Sequence, residues 1–131
     1  MLEMDGVSMA KQTIAELLEL IGHTTHYDHG APPPTVNQYG GWGDPPLIIT
    51  VTWNEPETTQ LLIDNGAEVN AQGDLGETAL HKAVGMGHTE VVRVLLKNGA
   101  DPRIASVTGT TPIAYAHKPE IAEMLKNWKP Q

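Results

Sequence analysis

The residues best suited to chemistry lie close together near the N-terminus, where His23, Thr24, Thr25, His26, Tyr27, Asp28 and His29 spell H-x-x-H-x-D-H. Neutral imidazoles with a carboxylate suit Zn²⁺ or Ni²⁺. Three histidines within seven residues match no standard metal spacing, however, and Gly30 and Pro32 to Pro34 on the C-terminal side predict a loop rather than a rigid cage. The expectation is a polar loop and no cofactor, with a metal-binding or metal-sensing protein built on His23, His26, Asp28 and His29 as the alternative. The chain has no cysteine, so thiolate nucleophiles and thiolate metal sites are excluded. No G-x-S-x-G, H-E-x-x-H or Walker-type run occurs, and Gly41-Trp42-Gly43 lacks the Lys-Ser or Lys-Thr that would make it a phosphate cradle. Enzymatic activity is not expected.

The elements that position these residues follow from a repeat. Residues 76–104 read G-E-T-A-L-H-K-A-V-G-M-G-H-T-E-V-V-R-V-L-L-K-N-G-A-D-P-R-I. A step back of 33 residues takes Gly76 to Gly43, Leu80 to Leu47, Glu90 to Glu57, Leu95 to Leu62 and Asn98-Gly99-Ala100 to Asn65-Gly66-Ala67, without a gap. The runs G-E-T-A-L-H-K-A and G-H-T-E-V-V-R-V-L-L-K-N-G-A-D closely resemble the ankyrin repeat. The resemblance implies an all-α solenoid of stacked helix-turn-helix units with β-turn or hairpin tips. It also implies a protein that binds other proteins and has no chemistry of its own. His88, in the G-H turn between the paired helices, is then structural.

The register divides the chain into a single domain over 1–131: a cap helix over 10–22, a long insertion loop over 23–42, a first repeat over 43–75, a second over 76–108 and a truncated capping repeat over 109–131. Ile14, Leu17, Leu18 and Ile21 make one stripe of an amphipathic helix that Gly22 ends. Gly66 to Gly76 and Gly99 to Gly109 are ten residues apart but Gly22 to Gly43 is 21, so eleven surplus residues fall within 23–42. Loops of that length are often functional.

In the family the unit's T-x-x-H shares a hydrogen bond that fixes the first helix; Thr78 and His81 can make it, whereas Pro45 and Ile48 cannot. The first repeat is therefore expected to be a looser helix pair, with Pro45 and Pro46 in its first turn and Thr58, Leu61 and Leu62 on its second helix. In the third, Thr111 and Pro112 open a short helix ending near His117 and Pro119 opens the next. Lys126 replaces the apolar Leu96, giving the polar outer face a terminal cap requires, and Trp128 is expected to cover the edge of the core.

Charge narrows the partner. Residues 1–75 carry eleven acids and one base, and residues 76–131 five acids and seven bases. The acidic half argues against nucleic acid and favours a partner with a basic surface. No apolar run approaches the ~20 residues of a membrane span, and the first residues lack the basic and apolar parts of a signal peptide. With no cysteine, a cytoplasmic protein is expected; Met4 and Met9 are each possible natural starts.

The resemblance also implies where a partner binds: on the turn tips and first helices of the concave side. Two positions vary there, the residue before each turn glycine (Trp42, Leu75, Thr108) and the one ten residues after it (Trp53, Met86). Four of the five are large and apolar, which suits a contact surface. Asp44, Asp74 and Glu77 would supply an acidic rim. The competing expectation is that Trp42 and Trp53 pack against the insertion, on Tyr39 or its prolines. The leading reading is a module that inhibits or escorts one partner, in its sharpest form an immunity-type inhibitor of a basic toxin.

Overall fold

The computed structural model describes residues 13–24 and 26–130. Six α-helices follow one another among the described residues: α1 (Ile14–Gly22), α2 (Pro46–Thr50), α3 (Pro56–Asp64), α4 (Ala79–Met86), α5 (Thr89–Lys97) and α6 (Pro119–Lys126). Three single 3₁₀ turns interleave with them, at Val51–Trp53, Asp74–Gly76 and Pro112–Tyr115. No strand occurs among these residues. Residues 10–12 of the expected cap helix, and both alternative start methionines, lie outside the described residues.

Each helix begins where its sequence satisfies the first free backbone donors. Thr13 opens α1 with a capping box: its Oγ1 accepts the Glu16 N–H at 3.1 Å and Glu16 Oε1 accepts the Thr13 N–H at 3.0 Å. Thr78 opens α4 in the same way with His81 as its reciprocal partner. Prolines at the first helical position open α2, α3 and α6, where the missing N–H costs nothing. The two regular units end on left-handed glycines, Gly66 (φ +98°) and Gly99 (φ +96°). Gly22 works differently. It is the last residue of α1, and a Cβ there would stand 3.1 Å from Pro34 Cδ, so the missing side chain makes room for the returning chain.

The helices pair and stack in order. α2 packs on α3 and α4 on α5; α4 lies beside α2, and α5 lies between α3 and α6. α1 closes one end against α2 and α3, while the 3₁₀ turn Pro112–Tyr115 takes the place of a first helix beside α4 at the other. One continuous apolar cluster runs through the stack, from Leu17 and Ile21 through Leu47 and Leu62 to Leu80, Val84, Leu95 and Ile121. Among the described residues this cluster is aliphatic; the buried polar side chains beside it are four threonines (Thr50, Thr58, Thr59 and Thr78), Ser106 and His81, whose ring nitrogens are both used.

His81 welds two units. Its Nδ1 accepts the Thr78 N–H at 3.0 Å, which leaves the proton on Nε2 to donate to the Thr110 carbonyl at 2.8 Å. The residue at this position in the first unit is Ile48, which instead packs its methyl under Gly73, where a Cβ would come within 2.9 Å of Ile48 Cδ1. An apolar contact thus replaces the hydrogen-bonded weld. α2 is correspondingly short at five residues and finishes in the 3₁₀ turn Val51–Trp53.

Candidate functional site

Three turn tips recur at the 33-residue spacing and share one geometry. Gly40 N–H donates to the Asp44 carbonyl (2.9 Å), Gly73 to Glu77 (2.8 Å) and Ser106 to Thr110 (2.8 Å). Inside each, the N–H of Gly43, Gly76 or Gly109 closes the turn onto the carbonyl of Gly40, Gly73 or Ser106. All three turn glycines have positive φ, from 72° to 91°, which explains their fixed positions in the repeat.

Adjacent tips are tied together rather than merely aligned. Asp44 Oδ1 accepts the Asp74 N–H at 2.9 Å, and the Leu75 carbonyl accepts the Val107 N–H at 3.0 Å. Behind the tips, Tyr39 Oη donates to the Gln72 carbonyl and Gln72 Nε2 to the Ala105 carbonyl, both at 3.1 Å. Below these, Asn37 donates to the Gly66 carbonyl and accepts the Glu68 N–H, and Asn70 repeats both bonds with Gly99 and Asp101. Residues 34–42 therefore keep the spacing of a regular connection, and the surplus chain is confined to residues 23–33.

Large apolar side chains project from this framework. Trp42 is 66% exposed, Leu75 61%, Val107 73% and, at the end of α4, Met86 49%. Leu75 is held at φ 59° and ψ 17°, a left-handed conformation uncommon outside glycine and asparagine. Such strain concentrates at functional positions. Trp42, Leu75 and Met86, singled out from the repeat register, are thus exposed. Val107 was not singled out in the sequence; the available signal was an apolar residue in the turn V-T-G-T, two places before its glycine.

Two expected members stand elsewhere. Trp53 is half-buried and packed against the core, because the 3₁₀ turn that ends α2 has a tighter pitch than an α-helix and rotates the residue off the exposed side. Glu77 is not a free acid of the rim: its carboxylate accepts the Tyr115 hydroxyl at 2.5 Å and lies 3.5 Å from Lys82 Nζ, leaving its side chain 12% exposed. That acceptor pushes the Tyr115 hydroxyl pKa up. Asp44 is half-buried with one oxygen on the Asp74 N–H; Asp74 itself is exposed. No lysine or arginine occurs between Lys11 and Lys82, so nothing of that kind on the intervening chain offsets these acids.

In the histidine loop the side chains take separate partners; among the described residues no three His, Asp or Glu side chains converge to hold an ion. His29 Nε2 lies 3.0 Å from the Thr24 carbonyl, and Asp28 Oδ1 accepts the Gly30 N–H at 3.0 Å in a local turn. His23 is exposed, and His26 turns inward, its ring centroid 5.7 Å from that of Trp42 at 47°. Tyr27 donates to the Gln38 carbonyl at 2.7 Å, and burial, with the negative charge of Asp44 second, pushes its hydroxyl pKa up to about 12.

At the far end Trp128 carries the Arg103 guanidinium 4.9 Å above its ring and borders an open hollow of about 280 Å³ with Ile113 and Leu125. Arg103 holds the place that Asn37 and Asn70 occupy in the earlier units, and its contact with Trp128 replaces their bonds to a following unit.

The tips, paired helices and turn glycines are those of a repeat family, and the chain matches the family model of ankyrin repeats in three copies over residues 9–106 and 47–129. It belongs to the ankyrin-repeat family. Ankyrin repeats are in general protein-protein interaction modules and are typically not catalytic. A search of curated proteins finds no match. No helix among the described residues is long and apolar enough to cross a membrane.

Proposed function

We propose that this protein is a non-catalytic binding module that holds a partner protein against its tip row, with Trp42, Leu75 and Val107 as contacts on successive tips and Met86 behind them. The observation that carries this reading is Leu75, kept in a left-handed backbone conformation with its apolar side chain in solvent, between two equally exposed apolar neighbours. Exposed rows of this kind serve as contact surfaces, with tryptophan the favoured anchor and methionine the adaptable one.

The partner has a basic surface in this proposal. Asp74 and Asp44 flank the row, and the absence of any lysine or arginine from residue 12 to residue 81 leaves a negative field to draw a basic protein in. Covering such a surface is what an inhibitor or escort does, and an immunity-type inhibitor of a basic toxin is its sharpest form. A cytoplasmic setting, suited to a chain without cysteine, belongs to the same proposal.

The test is co-purification from native lysate with wild-type chain and a Trp42→Ala, Leu75→Asp, Met86→Asp variant side by side. A basic protein retained by the wild type, lost with the variant and eluted by moderate salt supports the reading, and addition of the purified chain should then lower that protein's activity. Equal recovery by both baits would count decisively against it.

A further inference from the structure

We infer that His26, the central histidine of the loop over residues 23–33, is a positioning residue that holds the indole of Trp42 ready for contact. The inference rests on the reading of Trp42 as a partner-contacting anchor and gives the surplus loop a role in the same site.

Four observations converge on this. The His26 carbonyl accepts the Gly41 N–H at 2.6 Å, a bond 15 residues along the chain that fixes the loop to the first tip next to Trp42. The fit there is close: a Cβ on Gly40 would meet the His26 carbonyl oxygen at 2.5 Å, so the tip and the loop approach through a position only glycine can fill. Tyr27 fastens the following residue through its bond to the Gln38 carbonyl, with its ring packed against the core. The imidazole of His26 sits beside the indole, tilted at 47° with a centroid separation within the range of favourable aromatic pairs, while Trp42 remains two-thirds exposed.

The ring acts by packing rather than by hydrogen bonding. His26 Nδ1 is buried and has no hydrogen-bond partner among the described residues. The contact the ring does make is with the Trp42 indole. The other two tips have no such brace: Leu75 is held by its backbone conformation and Thr108 by hydroxyl bonds to Ser106 and Thr110. A tryptophan on a free tip would lose rotamer freedom on binding, and bracing it beforehand removes that loss.

The experiment uses the full chain with Trp53→Phe and Trp128→Phe, so that Trp42 is the sole indole. Time-resolved fluorescence anisotropy then reads its local motion without any partner. His26→Ala should raise the amplitude of sub-nanosecond indole motion about twofold, and His26→Phe should restore the parent value because the ring, not its nitrogens, does the holding. Gly40→Ala, which separates loop from tip, should behave like His26→Ala, with the helical circular dichroism signal kept in all three. An unchanged fast component in His26→Ala and Gly40→Ala overturns the inference, as does failure of His26→Phe to restore it. A braced Trp42 in a chain that captures no partner supports the positioning and counts against the binding reading instead.

Discussion

Replacing His81 with leucine should lower stability by roughly 2 to 5 kcal/mol, and the structure says where the loss arises. The side chain is fully buried, and leucine is near enough in size to avoid a large cavity, so the loss is mainly one of polar satisfaction. Two groups lose their partners. The Thr78 N–H, buried at the start of α4, loses the Nδ1 acceptor, and the Thr110 carbonyl loses the Nε2 donor. Each orphaned buried group costs about 1 to 3 kcal/mol, with the Thr110 carbonyl toward the lower end because it is only half-buried. Small domains have about 5 to 15 kcal/mol in all, so the variant should remain folded but melt roughly 10 °C or more below wild type. Urea unfolding followed by circular dichroism measures the change. Thr78→Val completes a double-mutant cycle, and because both changes break one network, the double variant should lose less than the two singles added together. Refutation would be a His81→Leu loss below about 1 kcal/mol, or strict additivity in the cycle, since either would mean that the weld between the second and third units is not made through this ring.

Further outcomes follow from the same geometry. Leu95→Ala, at a fully buried position on α5, should cost roughly 2 to 5 kcal/mol in the same urea assay, because α3 and α6 flank the vacated space. Trp42→Ala and Met86→Asp should each change stability by no more than about 0.5 kcal/mol by thermal melting, as expected of exposed side chains away from the core. Tyr27 is raised in the folded state, so its contribution is complete below an unfolded pKa of about 10 and is lost as pH rises through about 12. Ultraviolet titration of phenolate absorbance should therefore show a late step near pH 12 from Tyr27, and its ionisation should accompany release of the loop from the first tip. A Tyr27→Phe chain that lacks the late step assigns it.

The repeat spacing carried most of the architecture because each unit reuses the same solutions to the same backbone problems. Gly43, Gly76 and Gly109 mark the tips since only a residue free of Cβ strain turns there easily, and Pro46, Pro56 and Pro119 mark helix starts. What the sequence did not reveal arises where side chains from distant units meet. Glu77 reads as a rim acid until Tyr115, 38 residues on, places its hydroxyl against it. Trp53 holds a variable position in the register, but the five-residue α2 ends in a tighter turn that swings it to the core. The histidine loop looked like the place for chemistry; its spacing could not show that Asp28 and His29 serve local turns while His26 faces an indole 16 positions away. Val107 became prominent only through its N–H bond to Leu75, which places it on the same row.

The most direct measurement of the central claim is amide hydrogen exchange on the complex with a captured partner, compared with the chain alone. Binding at the tip row predicts added protection at residues 40–44, 73–77 and 106–110, together with the end of α4 around Met86, and little change along α3 and α5. Protection confined to α3 and α5, with the three tips exchanging as they do in the free protein, would contradict it.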